Sequence, residues 1–163
     1  MQDKLIKNCV IVVDAWKKCL IEDTKKFSFW QKECDAFSKY LQVQLCQIKN
    51  KFSYNIFHLS CSPISSYINL FDGNIYDDYD KWANNLILKG YNNIFFCGFH
   101  LDACVSKNYK FFLKKSKNTS INAAIVHNLS IVKPNGTFAN AKYKYVYYTH
   151  SLGFTPLTIH FTT

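Results

Sequence analysis

No arginine occurs anywhere in the 163 residues; all twenty basic side chains are lysine. Bidentate reading of guanine edges and planar clamping of phosphate favour arginine, whereas lysine offers only a point charge. The net charge of +9 therefore supplies salt-sensitive, non-specific attraction, and composition disfavours nucleic acid as a specific partner. A Lys, Asn, Tyr and Phe bias of the kind AT-rich coding produces accounts for the sign of the charge without a function behind it. Charged residues are also few, at 19%, and they are interspersed with Phe, Tyr, Ile and Leu in a chain that is 48% hydrophobic. That excludes disorder.

Other absences narrow the class further. The seven cysteines, at 9, 19, 34, 46, 61, 97 and 104, form no CxxC pair and no zinc-like spacing. Several sit on apolar faces, where a thiol acts as a small hydrophobe, so a reducing compartment is expected. No apolar run approaches the roughly 20 residues that span a bilayer, and Met1-Gln2-Asp3-Lys4 leads into no signal-peptide pattern. The expectation is a soluble intracellular protein, cytoplasmic by default, with no membrane span. There is no repeat, linker or low-complexity tract. The length suits one domain, residues 1–163, with one well-buried core.

What is present is an alternation of strand and helix signals. Asn8 to Val13 (NCVIVV) is a continuous β-branched run ending at Asp14, the pattern of a strand buried on both faces. Ser28 and Gln31 form a capping box, followed by Trp30, Cys34, Phe37, Leu41, Leu45 and Ile48 at helical spacing. Tyr54 to Leu59 reads as a second strand, and Ser60 to Asp78 as an irregular stretch. Asp77 or Asp78 can cap a short helix holding Trp82 and Leu86 and ending at Lys89-Gly90. Asn93 to Cys97 is a buried strand broken by Gly98. A helix follows from near Ala103, with Val105, Tyr109, Phe112 and Leu113 on one face. Ile121 to Val126 is the next strand. A turn at Pro134-Asn135-Gly136, a helix from about Ala139 to His150 and a strand from Leu157 to Phe161 close the chain. This order predicts an α/β three-layer sandwich, Rossmann-like, with a mainly parallel sheet of five or six strands. Ligands of such sheets sit beyond the carboxyl ends of the strands, where Asp14 and the loop from Gly98 to Cys104 fall.

The segment NIFFCGFHLDACV, Asn93 to Val105, resembles the strand, glycine turn and nucleophile of the isochorismatase-like cysteine hydrolases, which include the nicotinamidases. Asp14 matches that family's catalytic aspartate in position and context, and the order of elements agrees along nearly the whole chain. The resemblance implies Cys104 as nucleophile and Asp14 as acid and base, and no external cofactor. It also implies a cis peptide in the loop, at Phe99-His100 or His100-Leu101.

The chemistry is consistent with that assignment. A thiol in the first turn of a helix meets unpaired amides and the positive end of the helix dipole, which favour thiolate. Backbone amides of Leu101, Asp102 and Ala103 can hold an oxyanion, and a nearby carboxylate can move the proton to a leaving nitrogen. The contrasting reading makes Cys104 one more buried cysteine.

One residue that the resemblance calls for is missing. The family's catalytic lysine precedes the helix leading into the nucleophile's strand, and the stretch from Ser65 to Asp78 contains none. Its loss removes several kcal/mol of electrostatic stabilisation, on the order of what preorganised charge supplies. The auxiliary candidates are Lys81, expected inside the helix as a solvated charge, and His100, in the nucleophile loop. His58 lies near where nicotinamidases begin a metal site, yet no Asp-x-His grouping follows, so no metal is expected. Asp102 is expected as a helix cap. Trp16, Phe71 and Tyr76 can wall a pocket for a planar substrate, with core packing the plainer role.

Two functions follow. The first is a hydrolase of a small amide, imide or related C-N substrate through a Cys104 thioester, impaired if nothing replaces the lysine. The second is a non-catalytic member of the fold, kept as a subunit or binding module of a larger assembly; with either function the chain is expected to be a homo-oligomer or a subunit of a larger assembly.

Overall fold

The apolar run that ends at Asp14 is the central strand of the molecule. The structure, a computed structural model, describes residues 5–15, 31–60, 71–76 and 81–131. In chain order these form β1 (Asn8–Val13), α1 (Gln31–Phe52), β2 (Asn55–Ser60), β3 (Gly73–Tyr76), α2 (Lys81–Leu88) and β4 (Asn93–Phe99). A single π turn (Leu101–Val105) then runs directly into α3 (Ser106–Ser116), and β5 (Asn122–Ile131) follows. All neighbouring strands are parallel, in the order β3-β2-β1-β4-β5.

With helices on both sides of the sheet β1 has no solvent face, so apolar residues run unbroken from Cys9 to Val13 instead of alternating with polar ones. Cys9, Ile11 and Val13 enter one core, and Val10 and Val12 enter the other. Against the second core α1 lays Leu41, Leu45 and Ile48, which are fully buried, and Phe37 meets Phe99 edge-on with ring centroids 5.2 Å apart. On the opposite face Trp82 of α2 and Phe112 of α3 stack at 6.0 Å, and Phe112 lies 5.7 Å from Phe96 of β4. Each such buried aromatic is worth roughly 2–3 kcal/mol in area removed from water, with about 1 kcal/mol more per ring pair. Helices thus cover both faces, and the expected three-layer α/β sandwich is found, with a sheet of five strands among the described residues.

Several boundaries differ from expectation for physical reasons. β2 begins one residue late, at Asn55. The stretch expected to be irregular contains β3, whose four residues GNIY are too few to display a period and are held by pairing with β2. Gly98 does not end β4. The strand passes through it to Phe99, because glycine adopts φ +112° at little cost and β5 bulges there. The register jumps from Phe96 opposite Ile125 to Gly98 opposite Ser130. β5 accordingly extends to Ile131 rather than stopping at Val126. Leu113, expected on the buried face of α3, is 40% exposed at its edge. Ser28, Asp77, Asp78, the turn at 134–136, the helix from Ala139 and the strand from Leu157 lie outside the described residues.

At the amino-terminal edge of the sheet, Asn93 donates from Nδ2 to Oδ1 of Asn8 at 2.7 Å and accepts from Nδ2 of Asn122 at 3.1 Å. These three residues are in register on β1, β4 and β5, so the amides form a polar row that ties the strand starts together. The opposite edge is where the chemistry gathers.

Candidate active site

The strand order reverses between β1 and β4. From β1 the chain proceeds to β2 and β3 on one side, then crosses to β4 and β5 on the other, so the carboxyl ends of the two central strands form the topological switch point at which ligands of such sheets bind. Val13 pairs with Gly98 across that junction. Parallel neighbours are about 4.8 Å apart, so the next residue, Asp14, stands beside the Phe99 and His100 end of β4.

Asp14 is 5% exposed and takes the left-handed region at φ +50°, which Asp tolerates better than most residues. Its amide donates to the Leu59 carbonyl at 2.9 Å, extending the β1–β2 ladder by one residue and fixing where the backbone turns. Leu59 is the register partner of Val13, so Ser60, 2% exposed, flanks Asp14 on its other side. In the sequence Ser60 opens the stretch expected to be irregular. Its only signal was a polar residue ending an apolar strand, as Asp14 does.

The loop after β4 begins with a cis peptide between Phe99 and His100, one of the two positions expected. His100 is 6% exposed and is the residue that caps the helical segment, with extended φ and ψ and no side-chain cap. Its carbonyl accepts from the amides of Ala103 at 3.1 Å and Val105 at 3.0 Å. The second bond closes the wider π ring, a feature often found at functional sites. Because the segment opens at Leu101, Asp102 lies inside it and is not the cap expected. The side chain of Asp102, like the whole of Trp16 and the side chain of Tyr76, is outside the described residues.

Leu101 is fully buried in the core, so it can serve a ligand only through its backbone. Ala103 and Cys104 are half-buried. The Cys104 carbonyl accepts from Nδ2 of Asn108 at 2.8 Å, which braces the start of α3. The Ala103 amide is taken by the His100 carbonyl and so is not the oxyanion donor expected; the amides of Leu101 and Asp102 open the segment, whose positive end faces the same edge as Asp14.

Lys81 is the first residue of α2 and is exposed. Since α2 returns from β3 to β4, it opens at the same end of the sheet as Asp14, with Lys81 on the surface. His58 is fully buried on β2 and stacks on Phe71, centroids 5.0 Å apart and planes 17° from parallel. Phe71 therefore packs on the α1 side of the sheet. Among the described residues no group of three or more His, Cys, Asp or Glu side chains could hold a metal ion, and no helix is long and apolar enough to cross a membrane.

Comparison with solved structures shows the isochorismatase-like fold here, a parallel sheet whose switch point lies between the strands that lead to Asp14 and to Cys104. No protein-family model and no curated protein sequence matches the chain. YcaC from Pseudomonas aeruginosa, solved with hexane-2,5-diol and covalent acrylamide, superposes with a TM-score of 0.62 at 15% identity, over 97% of this chain and 80% of its own. The YcaC gene product of Escherichia coli, an octameric hydrolase of unknown specificity, gives 0.56 at 13% identity, over 93% and 75%. A Burkholderia xenovorans LB400 protein provisionally assigned as an isochorismatase gives 0.53 at 9% identity, over 90% and 79%.

Proposed function

We propose that this chain is a cysteine hydrolase of small amides, imides or related C-N compounds, with Cys104 as nucleophile and Asp14 as acid and base. The observation that carries the reading is the pairing of Val13 with Gly98, which sets a buried carboxylate against the loop that leads into the cysteine. In the proposed cycle Asp14 takes the thiol proton as Sγ attacks the carbonyl carbon. Amides at the opening of the π turn, those of Leu101 and Asp102, receive the developing oxyanion, the Ala103 amide being held by the His100 carbonyl. Collapse breaks the C-N bond, Asp14 returns the proton to the leaving nitrogen, and a thioester remains. Water, deprotonated by Asp14, then attacks the thioester and releases the acid and the thiol.

The missing lysine leaves the thiolate needing another partner. His100 suits the role best, being buried in the same loop, while Lys81 is exposed at the helix start. No cofactor enters this scheme. The octameric neighbour supports a homo-oligomer. The exposed position of Lys81 favours a second reading, a non-catalytic subunit that keeps the fold.

The test is release of amine or ammonia from a panel of small aliphatic and aromatic amides and imides. Turnover abolished by Cys104→Ala and reduced by at least about a hundredfold in Asp14→Asn supports the hydrolase. Turnover unaffected by Cys104→Ala, or none on any substrate with the thiol inert to alkylation, supports the second reading.

A further inference from the structure

The positive charge of this protein is segregated. Residues 1–102 contain twelve lysines and all eleven acidic side chains, whereas residues 103–163 contain eight lysines and no acidic residue. A coding bias towards lysine would leave the acids scattered throughout, so the bias does not account for this division. The structure gives part of it a shape. Lys107, Lys110, Lys114 and Lys117 are all exposed along α3 and its carboxyl cap. Their spacing of three, four and three residues confines them to an arc of about 80° at 3.6 residues per turn. Val105, Phe112 and Ser116 bury the opposite side, so the lysines form one outward stripe about 15 Å long.

We propose that this stripe is a docking surface for the phosphate backbone of a nucleic-acid duplex, bound without reading sequence. A straight row of about 15 Å spans the rise of roughly four base pairs. Lysine without arginine suits contact with phosphates as point charges rather than recognition of bases. Single-stranded binding draws on exposed aromatic platforms, and here Tyr109, Phe111 and Phe112 pack against the core. Insertion into an anionic bilayer calls for an apolar face beside the charges, and α3 has spent its apolar face on the sheet, with only Leu113 at its edge.

The test is fluorescence anisotropy of the full chain with labelled 20-base-pair DNA and RNA duplexes of arbitrary sequence, the matching single strands, and vesicles containing phosphatidylserine. Four phosphate contacts predict a slope of about −3.6 in log affinity against log salt, a loss of about a hundredfold between 50 and 200 mM. The double variant Lys110→Gln/Lys114→Gln should flatten the slope by about 1.8. Lys39→Gln/Lys51→Gln on α1, which removes the same charge elsewhere, should flatten it by less than half as much. Equal effects of the two pairs, no duplex binding at 50 mM salt, or tighter binding to single strands or vesicles than to duplex would each overturn the proposal.

Discussion

Val13 and Gly98 face each other across the central junction of the sheet so closely that a Cβ on Gly98 would lie 2.5 Å from the Val13 carbonyl oxygen and 2.9 Å from its amide nitrogen. Both obstacles are backbone, and neither can move without parting β1 from β4. With φ at +112° the residue is also in a region that side chains disfavour. Gly98→Ala should cost about 3 kcal/mol or more, read as a shift in urea midpoint or as loss of soluble protein. A change under about 0.5 kcal/mol would contradict the close approach.

Asp72 ties three elements together. Its carboxylate accepts from the Ile56 amide at 2.7 Å and from Nζ of Lys49 on α1 at 2.9 Å. Burial pushes the carboxyl up, but the Lys49 hydrogen bond and charge together with the Ile56 amide outweigh it and hold it below the ordinary 3.8. A depressed folded value contributes stability above the unfolded carboxylate range and loses it as pH falls below 3.8 through the folded value. Asp72→Ala should therefore cost about 1 kcal/mol at neutral pH, with the gap from wild type closing in acid denaturation below that pH. A gap that persists unchanged there would contradict the linkage.

The asparagine row at the far edge of the sheet makes a separate prediction. Asn93→Ala removes both side-chain bonds of that residue and should destabilise by about 1–2 kcal/mol in urea. Cys104 alkylation should be unchanged, since the row and the site lie at opposite ends of β4.

His100 and Lys81 are the two candidates for the absent cation. His100→Ala should raise the midpoint of Cys104 alkylation against pH by about one pH unit. Lys81→Ala, removing an exposed charge, should leave the profile within experimental error. The reverse pattern would assign the role to Lys81.

Much of this was legible in the residues, for identifiable reasons. NCVIVV had to be a strand buried on both faces, and Leu41, Leu45 and Ile48 had to line one side of a helix; burial confirms both. The places of Asp14 at the end of β1 and of Cys104 at the helix start after β4 followed from motif and order. Register was not legible, because period and propensity say nothing of which strand is neighbour to which, and Ser60 beside Asp14 emerges only from pairing. Gly98 misled for a related reason. A glycine reads as a break, but here the bulge in β5 accommodates its positive φ and β4 continues. β3 escaped notice because its four residues show no pattern of their own.

The most direct test of the central claim is the rate at which acrylamide alkylates each cysteine near pH 7, followed by peptide mass spectrometry. Burial pushes the Cys9 thiol up to about 12 and the Cys97 thiol up further, so both should remain unmodified in the folded protein. Cys46, half-buried on α1, serves as the internal reference because its burial is similar to that of Cys104. The account predicts that Cys104 reacts at least about tenfold faster than Cys46 and that Asp14→Asn changes the pH dependence of that rate. Cys104 labelling no faster than Cys46, with a profile indifferent to Asp14, would contradict an activated nucleophile at this site.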